Sequence, residues 1–170
     1  MNAKVSLAVA ALYAIAACAG PGAAPADLCG PVKHPPLQGG GHLVGGQEPP
    51  VPYSSIPPTS GWHVSAPDDI ATRPADRPLS EPQQVGVLEA GGVVISHHDL
   101  PAAQLTALER LVRSRFPGRA AVTSYDKLAP GEVAMTAWGV LQRCRGLDLA
   151  RVEDFVHDHA DGRAGPLRGH

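Results

Sequence analysis

The chain has 170 residues, a formal net charge of −2 and 4% aromatic residues. That length suits one domain better than two, and its core must be small and built of Val, Leu and Ala. The charge balance lacks the clustered Lys and Arg that nucleic-acid binding requires.

Met1-Asn2-Ala3-Lys4 is a short basic start, and an apolar run over residues 5–17 follows. This is the pattern of a secretory signal, and the run is shorter than the ~20 apolar residues a membrane-spanning helix needs. Ile15-Ala16-Ala17-Cys18 is similar to the bacterial lipobox, in which an aliphatic residue and two small residues precede the cysteine that is acylated. Residues 1–17 are therefore expected to be a lipoprotein signal peptide, Cys18 the lipidated N-terminus, and residues 18–28 a flexible tether. The mature protein would sit on the outer face of the cell membrane, held by its lipid. Each buried CH₂ contributes ~0.8 kcal/mol, so several acyl chains on one residue anchor firmly. Ordinary secretion with cleavage after Ala24-Pro25-Ala26 is the alternative. Loss of Lys4 with the leader makes the remaining charge −3, which gives no electrostatic attraction to anionic lipid.

With Cys18 lipidated, Cys29 and Cys144 remain as an even pair in an oxidising compartment. They are expected to form a disulfide, worth ~4–5 kcal/mol in the chain-entropy model. Two free thiols or a metal pair are the alternatives.

Fourteen of the 18 prolines lie between Pro21 and Pro82, so residues 29–82 cannot be mostly regular secondary structure. They are expected to form ordered loops and extended segments, parts of which wrap a core. Gly92-Val93-Val94-Ile95-Ser96-His97 reads as a short buried strand. Asp99 is expected to cap a helix with Pro101 in its first turn. Leu105, Leu108 and Val112 face inward along it, and Pro117-Gly118 ends it. Residues 120–124 and 132–138 read as two further strands, whose short link predicts an antiparallel hairpin. A second helix is predicted from Asp148, with Val152, Phe155 and Val156 inward, ending before Gly162. The order strand-helix-strand-strand-helix gives an α+β class, with a small mixed or antiparallel sheet behind a long Pro/Gly-rich segment. One domain is expected over residues 29–160, with a frayed tail over 161–170.

Gly41-His42, the run Tyr53-Ser54-Ser55-Ile56-Pro57-Pro58-Thr59-Ser60-Gly61-Trp62-His63, and Leu88-Glu89-Ala90-Gly91-Gly92-Val93-Val94-Ile95 occur in that order, before Ala137-Trp138-Gly139 and Cys144. Together they resemble the family catalogued as domain of unknown function 3105, common in actinobacterial envelope proteins. The resemblance covers residues 29–156 and implies an architecture and motif positions, not a reaction. The family pattern His-x-Leu-Glu-His-Gly meets Gly86-Val87-Leu88-Glu89-Ala90-Gly91 here, so Gly86 and Ala90 stand where histidines are usual. A His-x-x-Glu-His array on a helix can carry zinc; a third reading, a degenerate relative of an enzyme, predicts that restoring histidine at both positions together would create metal affinity.

The remaining candidate metal ligands are His42, His63, His97, His98 and Glu89. Three of these suffice for copper or zinc, provided their segments converge; His97 and His98 point to opposite faces of a strand, so only one can join Glu89. His63 bonded within its turn, and His97 or His98 ending a strand in solvent, are the plain readings. Trp62 and Trp138 read as core anchors. His157 and His159 suit the negative end of a helix. Ser54, Ser55 and Ser60 lack nucleophile context, and Gly39-Gly40-Gly41 opens no helix that would cradle phosphate. No complete catalytic constellation emerges, so a non-catalytic binding domain for an envelope protein or small ligand is the first expectation, and a copper- or zinc-binding protein the second.

Overall fold

The computed structural model describes residues 27–66 and 70–160. The expected leader, Cys18, most of the tether and the tail over 161–170 lie outside the described residues. Seven elements follow in order: α1 (Glu81–Glu89), β1 (Val93–His97), α2 (Ala102–Arg115), β2 (Ala120–Ser124), β3 (Val133–Ala137), β4 (Val140–Cys144) and α3 (Leu149–His159). The class is α+β, with a small mixed sheet of order β2-β1-β3-β4.

The strand before α2, the strand after it, α2 itself and α3 stand where the sequence puts them. Two differences change the topology. The antiparallel hairpin is not formed by β2 and β3, because β1 lies between them: β1 pairs parallel with β2 and antiparallel with β3. The hairpin is instead β3 with β4, turning at Trp138-Gly139, where Gly139 has φ 70°. Glycine takes such a positive φ at no steric cost. With an apolar residue at the other turn position, the sequence shows no turn signal there, and its last expected strand ends at Trp138 with none placed over 140–144, where β4 lies.

The second difference is α1. Its residues Gln84 to Leu88 are all buried, so it shows no apolar stripe of helical period, and Gly86 and Pro82 argue against a helix locally. Its start does carry a signal: the Ser80 backbone N–H donates to Gln83 Oε1 at 2.9 Å, half of a capping box. At α2 the expected cap is also corrected. Asp99 sits at φ 48°, outside the helix, and Pro101 precedes the first turn without any side-chain cap. Asp148 caps α3 as expected, accepting from the Arg151 N–H at 3.0 Å.

Both sheet faces are covered. Val93, Ile95, Val122 and Met135 meet Leu108, Val112, Phe155 and Val156 of α2 and α3. On the opposite face, Val94 and Ala121 pack with Val87 and Leu88 of α1, with Trp138 against them. All five residues of β1 are buried, as expected of a strand sandwiched between helices.

The segment before the sheet runs along the open edge of β4. Lys33 exchanges backbone hydrogen bonds with Leu141 at 2.8 and 2.9 Å, and Gly30 N–H donates to Arg143 O. Cys29 and Cys144 face one another across this edge and are joined by a disulfide of 2.07 Å spanning 115 residues. The edge of β4, which would otherwise invite pairing with another chain, is thereby closed. Among the described residues no helix is long and apolar enough to cross a membrane.

Candidate metal centre

His42 and His63 lie on two extended stretches that run parallel, paired at these two residues. Leu43 N–H donates to His63 O at 2.7 Å, and His63 N–H to Gly41 O at 3.2 Å. The stretches meet at bare backbone: a β-carbon on Gly40 would lie 2.3 Å from the Gly61 carbonyl carbon. Gly61 itself has φ 116°, a conformation that favours glycine.

The Pro-Pro-Thr-Ser-Gly run holds this turn. Thr59 and Ser60 are fully buried. The Ser60 hydroxyl accepts the Gln38 N–H at 2.9 Å, and the Thr59 carbonyl accepts the Gly139 N–H at 2.9 Å. The Tyr53 hydroxyl donates to Trp62 O at 2.6 Å. The most recognisable motif of the sequence is thus scaffolding for His63, and its hydroxyls are occupied in that task.

Glu89 arrives from α1. A β-carbon on Gly86 would lie 2.2 Å from the Val64 carbonyl oxygen, so the helix can seat against the His63 stretch only where it has no side chain. Glu89, nearly one turn further along, then reaches the two imidazoles. Val64 N–H donates to Pro82 O at 3.3 Å and adds to the seating.

The resulting geometry is tight. His63 Nε2 stands 3.0 Å from Glu89 Oε2, and His42 Nε2 stands 3.9 Å from the same oxygen. The rings pack edge to face, with centroids 4.6 Å apart. One ligand atom from each of the three residues fits within a span of 4.8 Å. Metal bonds of ~2.0–2.1 Å in a tetrahedral site put neighbouring ligand atoms about 3.3 Å apart. The two measured distances bracket that value. His42, whose side chain is 56% exposed, has the freedom to close the longer one.

The protonation pattern matters more than the distances. His63 Nδ1 lies 2.9 Å from the Gly61 carbonyl, which only accepts, so Nδ1 carries the hydrogen. In the neutral ring Nε2 is then a lone pair. Among the described residues no donor reaches this buried atom, and the nearby carboxylate oxygen is an acceptor as well. Two acceptors facing each other at 3.0 Å require a cation between or upon them, either a proton on Nε2 or a metal ion. The Gly61 carbonyl is the outer-shell partner that fixes the tautomer of a metal-bound histidine. Glu89 also sits in the last turn of α1, which has no basic residue. A carboxylate at the negative end of a helix dipole is mildly disfavoured, and a cation beside it offsets that cost.

Of the five candidate ligands, the structure brings together His42, His63 and Glu89 and places the other two elsewhere. His97 and His98 come at the far end of β1, about 13 Å of extended chain beyond its start, whereas Glu89 precedes it. His97 is buried, its Nδ1 without a partner among the described residues, and burial first, then the neighbouring His98, lowers its pKa. His98 Nδ1 donates to Leu128 O at 2.6 Å, and its Nε2 lies 3.5 Å from Asp99. The two family positions lacking histidine differ from each other. Ala90 is exposed beside Glu89, but Gly86 has no space for even a methyl group, so a histidine there cannot restore a ligand in this arrangement.

The family described as a protein of unknown function (DUF3105) matches residues 46–170. No curated protein and no solved structure matches the chain.

Proposed function

The chain belongs to the DUF3105 family, whose description names no activity, and from that premise we propose that it is an extracytoplasmic domain that binds a divalent transition metal. His42, His63 and Glu89 are the ligands. The observation that carries this reading is the buried Nε2 of His63, deprived of any donor by the Gly61 carbonyl on its other nitrogen and pointed at a carboxylate. Two imidazoles and one carboxylate suit zinc, copper or iron better than magnesium or calcium, which prefer oxygen throughout. The lipobox at Cys18 supports anchoring on the outer face of the membrane. The Cys29–Cys144 disulfide supports an oxidising compartment.

The test is metal content. Protein stripped with chelator and dialysed against zinc or copper should retain one ion per chain. His42→Ala, at an exposed position, should fold normally and lose most of that affinity. A protein that retains no metal is better described as an interaction domain, in which His63 and Glu89 form a structural pair.

A further inference from the structure

We infer that the metal held by His42, His63 and Glu89 binds an external monoanion, for which acetate is the probe, on its solvent side. This rests on the metal reading above and extends it to a site that exchanges an external ligand.

The protein supplies three ligand atoms, and among the described residues no fourth His, Cys, Asp or Glu joins the group. A tetrahedral ion keeps one position open with three protein ligands, and a larger coordination sphere keeps more. The three side chains are graded in exposure: His63 is 2% exposed, Glu89 27% and His42 56%. His63 therefore forms the floor, Glu89 and His42 form the rim, and the open position faces solvent. A closed structural site would fill all four positions with protein ligands.

Charge selects what enters. The two imidazoles bind as neutral groups, and Glu89 is the one carboxylate of the cluster. A divalent ion there retains a single net positive charge, which one monoanion neutralises. The ligand replaces a bound water at the metal, with no bond of the protein made or broken.

The experiment uses cobalt(II) as a coloured replacement and follows its visible absorption. Acetate is titrated into the cobalt-loaded protein, with acetamide as a neutral molecule of nearly the same shape. A saturable spectral change at one acetate per cobalt, absent with acetamide, is the expected result. An unchanged spectrum while dialysis shows cobalt still bound overturns the inference and leaves the metal reading intact. An equal response to acetamide overturns the charge argument. Absence of bound cobalt removes the metal reading and this inference together.

Discussion

Gly86 touches the Val64 carbonyl so closely that a β-carbon would stand 2.2 Å from the oxygen, and this contact sets where Glu89 ends. Two opposing effects act on Gly86→Ala. Replacing a mid-helix glycine favours the helix by roughly 0.5–1 kcal/mol. Overpacking a filled site costs about 1–3 kcal/mol, and here the obstacle is backbone, which cannot rotate away. The overlap wins. Gly86→Ala is expected to lower stability by about 1–2 kcal/mol in urea unfolding and to weaken zinc binding at least tenfold, because Glu89 is pushed away from His63. Gly86→His should be worse on both counts, even combined with Ala90→His. Tighter zinc binding in that double variant would contradict the packing argument.

The three ligands should fail in different ways. His42→Ala and Glu89→Gln keep the fold and lose metal, because neither side chain is deeply buried. His63→Ala loses metal too, and it also orphans the Gly61 carbonyl inside the molecule, a cost of about 1–3 kcal/mol. Thermal unfolding without metal separates these cases: only the His63 variant should melt clearly lower. Adding zinc should raise the wild-type melting temperature and leave all three variants unmoved, since a ligand that binds only the folded state stabilises it by mass action.

Acid should destabilise the domain through His97 and His159. Burial lowers the pKa of both in the folded state, so below about pH 6.5, the ordinary histidine value, the unfolded chain binds protons first. Stability is full above that pH and falls as the pH drops through the folded values. The urea midpoint of metal-free protein should decline between pH 7 and pH 5. His97→Leu should flatten this decline; an unchanged slope would place the sensitivity elsewhere.

Reducing Cys29–Cys144 should cost about 4–5 kcal/mol by the chain-entropy estimate for so long a loop. Comparison of urea midpoints with and without reductant, and with Cys29→Ser plus Cys144→Ser, measures it. A shift below about 1 kcal/mol would mean that the unfolded chain is already compact and gains little freedom from reduction.

Cys18→Ala tests the anchoring proposal. The wild-type protein should partition with membranes and the variant with the medium or the unprocessed pool. Equal partitioning of the two would remove the lipid anchor.

What was legible in the residues divides along physical lines. β1, β2 and α3 were readable because their signals are local: β-branched runs, and an apolar stripe behind the Asp148 cap. The proline-dense stretch was readable as irregular for the same reason. The helix that delivers Glu89 was not, because it is buried on every side and therefore lacks a stripe. The sheet order was not, because pairing β1 between β2 and β3 depends on contacts remote in sequence. His42, His63 and Glu89 were recognisable as metal-ligand chemistry, and so were His97 and His98. Separating the two sets required knowing that two glycines, Gly40 and Gly86, let three segments touch at backbone.

The bond at Cys29 also governs how the molecule answers a pull. Tension applied between Asp27 and α3 passes directly through the Cys29–Cys144 bond and bypasses the loop of residues 30–143. Beyond the bond, the stretch leading to His42 stays slack. A protein pulled between those two points would thus keep its two imidazoles in register for as long as the bond holds.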